Sequence, residues 1–233
     1  MDTQTRHALK QDRLIEATRT SVDWFSDHRA RVIQAAVAAV LLIAAVVAGL
    51  VVYNQRSAAA NLAFGEAMDT YNAPLAQPGQ PAAPGERTFP SAAARAKLAN
   101  QQFVQLADRY GFFEAGKTAA YVAGLTAMDM GQSGQAETYL KKVSDGHDAA
   151  LASLGKLALA NLYQQLNRSS EAVVLYNQLI AKPTTTVPAD AARLQLAALY
   201  EKTNPAEANK IYAQLKSSKT AAGQIASQKL QQK

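Results

Sequence analysis

A run of 22 uncharged, mostly apolar residues, from Val32 to Tyr53, leaves few options for the fold of this chain. Gln34 is its only strongly polar side chain, so the run lacks the polar face of a surface helix in a globular protein. A helix of this length spans roughly 33 Å, about the thickness of a bilayer's hydrocarbon core. We therefore predict a transmembrane helix at 32–53, preceded by an arm at 1–31.

The distribution of basic residues predicts the orientation of this helix. The arm contains six Lys and Arg residues, including Arg29 and Arg31 directly before the apolar run, whereas Arg56 is the only basic residue between the run and Arg87. This bias places the N-terminus in the cytoplasm and the C-terminal region on the outer face of the membrane. A cleaved signal peptide is the alternative, with small residues at 58–60, but secretory apolar regions are usually only about 7–15 residues long. We expect an uncleaved anchor.

Composition excludes several classes of function. The formal net charge is +6, but the region after Tyr53 contains a single adjacent basic pair, Lys141 and Lys142, whereas a nucleic-acid interface needs clustered positive charge. The chain has no cysteine, which excludes disulfides, thiolate nucleophiles and cysteine-based metal sites. Its content of Ala, Leu, Gln and Lys favours an all-α protein. We expect no nucleic-acid partner and no small-molecule substrate.

The segment at 54–90 divides into a helix and a loop. Residues 57–73 have partly helical apolar spacing, which predicts a first helix on the outer face. Residues 74–90 contain five prolines and two glycines, a composition that excludes both a helix and a central strand. We predict an exposed linker there.

From residue 91 to 219 one apolar pattern recurs. A small residue is followed by a large apolar residue four positions later and by another three positions after that, so the three share one helix face. Successive sets are offset by 36 residues, and the earliest set by 37. The sets are Ala99, Phe103 and Leu106; Ala136, Leu140 and Val143; Ala172, Tyr176 and Leu179; and Ala208, Tyr212 and Leu215.

The preceding helices match as well, since Leu159, Ala160, Leu162 and Tyr163 correspond to Leu196, Ala197, Leu199 and Tyr200. Short polar turns at 131–135, 167–171 and 203–207 join each pair, with Gly131 and Asn167 suited to helix ends and Ser133, Ser169 and Asn204 to helix starts. The period predicts an all-α helix-turn-helix solenoid that resembles tetratricopeptide repeats. Gly124, Ala160 and Ala197 match the small residue of that family's first helix. Residues 220–233 suit a terminal capping helix.

Catalytic constellations are not evident in the sequence. Asp145, His147 and Asp148 could surround a metal ion, but they are better explained as turn residues, with Asp148 as the N-cap of the next helix. Four tyrosines at solenoid positions, 163, 176, 200 and 212, are expected to pack with their hydroxyls at the edge of the groove. We predict no enzymatic activity, no cofactor and no metal site.

A protein-binding groove is the function that remains. The first helices of stacked pairs form the concave face of a solenoid, which can accept a peptide or another protein. The polar residues predicted to line it are Lys156, Asn161, Gln164, Gln165, Arg193 and Gln195.

The whole layout, with the stretch from Arg95 to Gly111 leading into the next helix pair, resembles the bacterial inner-membrane family of ancillary SecYEG translocon subunits. The resemblance implies a single-pass protein of the inner membrane with a periplasmic C-terminal domain. It also implies two partners, a SecYEG-type translocon and a membrane-anchored, prolyl-isomerase-like periplasmic chaperone, and a role in receiving translocated polypeptides. The alternative is an envelope scaffold of another system, such as outer-membrane assembly or cell division.

Overall fold

The computed structural model describes residues 28–76, 85 and 87–232, and within these residues the chain is all-α, as predicted. Helices form all of its regular structure apart from an isolated bridge between Leu75 and Phe89. The helices are α1 (Arg29–Asn72), α2 (Ala92–Arg109), α3 (Glu114–Asp129), α4 (Ser133–Ser144), α5 (Ala149–Gln165), α6 (Ser169–Ala181), α7 (Ala189–Thr203), α8 (Pro205–Leu215) and α9 (Ala221–Gln231). The arm at 1–27 lies outside the described residues.

Helix α1 is long and apolar enough to cross a membrane. Its most apolar 18-residue window has a mean hydropathy of 3.0, and none of that window is buried inside the structure. The sequence suggested an anchor and a separate helix at 57–73, but α1 runs uninterrupted from Arg29 to Asn72. Neither proline nor glycine occurs between Leu50 and Phe64, so nothing in this region interrupts the helix. The chain divides into two compact units, with the boundary between Gln55 and Arg56.

In the second unit, the last turns of α1 pack against α2. Ala60 and Ala67 are fully buried, and the rings of Phe64 and Phe103 lie 5.9 Å apart between their centroids. The two ends of the proline-rich segment lie side by side, because the Ala76 amide donates a hydrogen bond of 2.7 Å to the Phe89 carbonyl. Residues 77–84 and 86 of the predicted linker lie outside the described residues.

From α2 to α9, each helix contacts the next one along the chain, and α3 also contacts α5, as α7 contacts α9. The recurrent apolar sets form this core. All twelve members of the four sets are at most 5% exposed, which confirms that they share a buried face. Of the four tyrosines predicted to pack, Tyr163, Tyr176 and Tyr212 are buried, as expected, whereas Tyr200 is only partly buried.

Two glycines allow neighbouring helices to approach closely. A Cβ atom on Gly124 would lie 2.7 Å from Leu140 Cδ2, and one on Gly155 would lie 2.9 Å from the Ser144 backbone nitrogen. The repeat pattern predicts a small residue at the position of Gly124, but it makes no such prediction for Gly155. At Gly124, α3 approaches α4, which follows it in the chain. At Gly155, α5 approaches α4, which precedes it.

The turns between helices follow the sequence in most details. Gly131 and Asn167 adopt positive φ angles of 70° and 58° after α3 and α5, as residues ending a helix commonly do. Asn204 accepts a hydrogen bond from the Glu207 amide, with Pro205 at the first helical position.

Ser133 and Ser169 begin helices, but they do not cap them. The N-cap residues of α4 and α6 are Gln132 and Arg168, and neither makes a side-chain capping bond. The positive φ of the preceding Gly131 and Asn167 turns the chain one residue earlier than the polar pattern suggested. The final helix, α9, buries Ala222, Gly223 and Ala226, while Ile225 is exposed.

Candidate protein-binding surfaces

The structure divides the six predicted groove residues among different faces of α5 and α7. Lys156 and Gln165 are nine residues apart on α5, which is about two and a half helical turns, so they point to opposite sides. The repeat pairs Leu159 with Leu196. In this register Arg193 is equivalent to Lys156, and Gln195 is equivalent to position 158. Position 158 lies about two turns before Gln165, on the same side of α5. Lys156 and Arg193 therefore occupy equivalent positions. The α5 residue equivalent to Gln195 is Ala158, which is only 5% exposed, whereas Gln165 and Gln195 are themselves exposed.

Asn161 and Gln164 face the second helix of their own pair. The Tyr176 hydroxyl donates a hydrogen bond of 2.7 Å to Asn161 Oδ1, and Gln164 Oε1 lies 3.4 Å from the same hydroxyl. Burial raises the pKa of Tyr176 to about 12, so this hydroxyl remains a donor at neutral pH. The two amide side chains thus satisfy a buried phenol and join α5 to α6.

Gln165 and Gln195 are exposed side chains on helices whose opposite faces are fixed by core packing. They are the two members of the predicted set that a partner can reach most directly. Both are uncharged and can donate and accept hydrogen bonds, which suits recognition of the backbone of an extended polypeptide.

Arg193 takes part in a contact that joins α7 to the turn before α9. Its Nη1 atom donates to Asp190 Oδ1 at 3.0 Å, and the Ser218 hydroxyl donates to Asp190 Oδ2 at 2.6 Å. These two contacts, with the Ser218 bond as the larger cause, lower the pKa of Asp190. Ser153 occupies the equivalent place on α5, within 2.7 Å and 2.9 Å of the Thr184 and Thr186 hydroxyls. Asp190 and Ser153 therefore make equivalent contacts with the turn that follows each repeat, and Arg193 adds an ion pair to the contact of Asp190.

Lys156 lines a cavity of about 320 Å³ between α4 and α6, with α5 beneath it. Charged side chains of both signs surround it, and Val174 adds an exposed apolar surface. The lining residues are Lys141, Ser144, Asp145, Lys156, Leu159, Tyr163, Glu171, Val174, Leu175 and Gln178.

A charged cluster lies beside this cavity and joins α4, α5 and α6. Glu137 accepts hydrogen bonds from Arg168 Nη1 and from the Tyr163 hydroxyl, at 2.7 Å and 3.0 Å, and pairs with Lys141 at 2.7 Å. The pKa of Glu137 is lowered to about 2. The hydrogen bond from Arg168 is the largest cause, and the one from Lys141 is the next. Arg168 also bonds Glu171. The cluster's charges are satisfied by one another.

A second cavity, of about 260 Å³, was not predicted from the sequence. It lies where the α2–α3 turn meets the α4–α5 turn, and its lining is Gly111, Gly116, Lys117, Ala120, Lys142, Val143, Gly146, His147, Asp148 and Leu151. These residues come from five separate segments, so no local sequence pattern predicts the cavity. The sequence signal that could have indicated it is the pair of closely spaced glycines, Gly111 and Gly116.

His147 lies on the wall of that cavity rather than in a ligand cluster. Asp148 caps α5, since its Oδ1 accepts bonds from the Ala150 and Leu151 amides at 2.9 Å and 3.1 Å, as predicted. Within the described residues, no group of three or more His, Cys, Asp and Glu side chains is arranged to hold a metal ion.

Comparisons with known proteins do not assign a family. No protein-family model matches the chain, and no match occurs among the curated proteins or the solved structures.

Proposed function

We propose that this chain is a non-catalytic, membrane-anchored protein-interaction module whose helical repeats form a tetratricopeptide-like solenoid. The observation that carries the proposal is the combination of an apolar α1 with first helices that are fixed by core packing yet expose Gln165 and Gln195. A helix-pair array of this kind presents an extended surface for polypeptides. The anchor attaches the chain that carries this surface to the membrane.

The resemblance to ancillary SecYEG subunits supports a more specific role. In this proposal the protein lies in the bacterial inner membrane with its N-terminus in the cytoplasm and its repeats in the periplasm. It acts beside a SecYEG-type translocon and contacts a membrane-anchored, prolyl-isomerase-like chaperone. Translocated polypeptides then meet the repeat surface as they emerge.

Site-specific crosslinking in native membranes tests both levels of the proposal. A photoreactive amino acid is placed at Gln165 or Gln195 in the full chain, and crosslinked proteins are identified by mass spectrometry. The matched control is the same probe at Lys156, which is on the same helix as Gln165 but on the opposite side.

We expect translocon subunits or a periplasmic chaperone to be recovered from Gln165 and Gln195 and to be depleted at Lys156. Recovery of outer-membrane assembly or cell-division proteins alone would support the envelope-scaffold alternative and overturn the translocon role. Absence of any protein crosslink at Gln165 and Gln195 would overturn the interaction module itself.

A further inference from the structure

In the two later helix pairs, polar residues of the first helix bind a buried tyrosine of the second helix. In the α5–α6 pair, the Tyr176 hydroxyl donates to Asn161 Oδ1 at 2.7 Å and lies 3.4 Å from Gln164 Oε1. In the α7–α8 pair, the Tyr212 hydroxyl donates to Glu201 Oε1 at 3.0 Å. These positions of α5 and α7 are therefore polar because a buried hydroxyl needs a hydrogen-bond acceptor.

The equivalent positions of α3 are apolar. In the repeat register, Leu125 and Met128 occupy the positions of the two α5 acceptors, and Leu140 stands in place of the tyrosine on α4, so no hydroxyl needs an acceptor there. Tyr121 and Val122 lie on the same side of α3, within about a third of the helix circumference. All four α3 side chains are half-buried, so each keeps part of its surface accessible. We call Tyr121, Val122, Leu125 and Met128 the apolar face of α3.

Helix α5 extends this apolar face. Leu154 and Leu157 are half-buried on the equivalent side of α5, and α5 contacts α3. No charged residue occurs in the chain between Lys117 and Asp129. The one charged residue of α5, Lys156, lines the cavity between α4 and α6. The apolar face of α3 and its extension on α5 therefore carry no charge.

The hydroxyl of Tyr121 is a donor that the fold leaves available. It makes no hydrogen bond to any described residue, and it is not one of the buried polar atoms, so a ligand can reach it. Burial raises the pKa of Tyr121, so the hydroxyl keeps its proton at neutral pH. Met128 has a flexible side chain that adapts to apolar groups of different shapes. One donor beside an adaptable apolar surface suits an extended main chain with apolar side chains.

We propose that the apolar face of α3, extended by Leu154 and Leu157, binds an uncharged apolar segment of an unfolded partner polypeptide. Apolar side chains of the segment pack against Leu125 and Met128, and a carbonyl group of its main chain accepts a hydrogen bond from Tyr121. A charged side chain would lose its hydration there without gaining an ion-pair partner, so the face selects against charged segments.

An unfolded chain fits this face better than a folded domain does. Folded proteins bury most of their apolar side chains and satisfy their main-chain carbonyls internally, whereas an unfolded chain exposes both. Gln195 is equivalent to Val122 in the repeat register, so the face continues the surface proposed above. This inference rests on the proposed function and names the class of polypeptide that the surface binds.

Fluorescence anisotropy with the full chain in lipid nanodiscs tests this selectivity, since no free detergent then competes for the apolar face. The probe is a fluorescein-labelled decapeptide of leucine, valine, alanine and glutamine. Two comparison peptides carry lysine or aspartate in place of its two central leucines. We expect saturable binding of the uncharged peptide and at least about tenfold weaker binding of both charged peptides. Empty nanodiscs measure the binding to lipid alone.

Two double variants locate the binding site. Leu125→Asn with Met128→Gln gives α3 the polar residues of α5 at nearly constant side-chain volume, and it should weaken binding at least about tenfold. Val174→Asn with Ile225→Gln changes two exposed apolar residues of α6 and α9, and it should leave binding unchanged. Tyr121→Phe keeps the ring and should weaken binding about two- to tenfold. Circular dichroism shows whether each variant is folded.

Four results would each overturn the inference. These are absence of saturable binding, equal affinity for the charged and uncharged peptides, binding that empty nanodiscs reproduce, and unchanged affinity in the folded α3 double variant. If that variant does not fold, unchanged affinity in Tyr121→Phe takes its place. Self-association that the α3 double variant abolishes, without peptide binding, would assign the face to a second copy of the chain and would also overturn the inference.

The crosslinking experiment at Gln165 and Gln195 requires no selectivity for apolar segments. Recovery of partner proteins there, together with a failure of the peptide experiment, would refute only this inference. Failure of both experiments would refute the proposed function as well.

Discussion

The guanidinium carbon of Arg168 lies 4.1 Å from the centre of the Tyr163 ring, in the geometry of a cation–π contact. The same guanidinium donates a hydrogen bond to Glu137, to which the Tyr163 hydroxyl also donates. Because these three residues belong to α4, α5 and the turn before α6, one charged cluster joins two successive helix pairs. The cluster therefore stabilises the stacking of repeats as well as the individual helices.

Replacement of Glu137 should make the protein less stable, and by an amount that depends on pH. Glu137→Gln should lower the free energy of unfolding by about 1 kcal/mol at neutral pH, since the side chain is partly exposed and its charged contacts are screened. Folding lowers the pKa of Glu137 from 4.5 to about 2, so the unfolded chain binds the proton more readily between these values. The stabilisation is thus complete above about pH 4.5 and is lost as the pH falls towards 2.

Denaturant unfolding of the full chain in micelles, followed by circular dichroism at several pH values, measures this difference. Glu114→Gln is the matched control, because Glu114 is far more exposed and pairs only with Lys117 among the ion pairs of the described residues. A constant difference between wild type and Glu137→Gln from pH 7 to pH 2 would contradict the role assigned to the Glu137 carboxylate.

The hydroxyl of Tyr176 should contribute to stability through Asn161. Tyr176→Phe keeps the buried ring but leaves Asn161 Oδ1 without this donor, which should cost about 0.5–1.5 kcal/mol. Tyr200→Phe serves as the control, since Tyr200 is half-buried and its hydroxyl makes no hydrogen bond to the described residues. Equal unfolding midpoints for the two variants would show that the Asn161 bond is not needed.

Helix α5 packs so closely against α4 at Gly155 that adding even a methyl group there should destabilise the fold. The Cβ atom of Gly155→Ala would meet Val143 Cγ1 at 2.7 Å and the Ser144 backbone nitrogen at 2.9 Å. Overpacking of this kind costs about 1–3 kcal/mol, which exceeds the gain of about 1 kcal/mol in helix propensity. We expect net destabilisation in thermal unfolding.

Gly134→Ala is the matched control for this substitution, because Gly134 is also helical and a Cβ atom there would meet nothing within 4 Å. That variant should gain about 0.5–1 kcal/mol from helix propensity alone. If both alanine variants were more stable than the wild type, that result would contradict the close approach of α5 to α4.

Much of the repeat core could be predicted from the sequence, because the recurrent small, large and large residues at 36-residue spacing specify one buried helix face. Asn204 and Asp148 were also predictable, since capping depends on neighbouring residues only. It was harder to predict from the sequence which surroundings each side of a first helix faces. Lys156, Asn161 and Gln165 are all polar on α5, and only the positions of α4 and α6 show that they face three different surroundings.

The cavity lined by His147 could not be predicted, since it forms from five segments that meet only after the helices pack. His147 was interpreted as a turn residue, which it is, but a turn residue can also line a cavity. In the same way, the pairing of Glu137 with Arg168 spans 31 residues and has no local signature. Contacts of this range depend on the stacking geometry of the repeats.

The membrane topology of the full chain tests most directly whether α1 anchors the helical repeats on the outer face of a membrane. The sequence contains no cysteine, so single-cysteine variants such as Ser21→Cys and Gln195→Cys can be labelled without background. Cells with a permeabilised outer membrane are treated with a membrane-impermeant maleimide before and after lysis. We predict that the cysteine at position 195 reacts in intact cells, whereas the cysteine at position 21 reacts only after lysis. Labelling of both positions before lysis, or of position 21 alone, would contradict a membrane-spanning α1 that holds the helical repeats on the outer face.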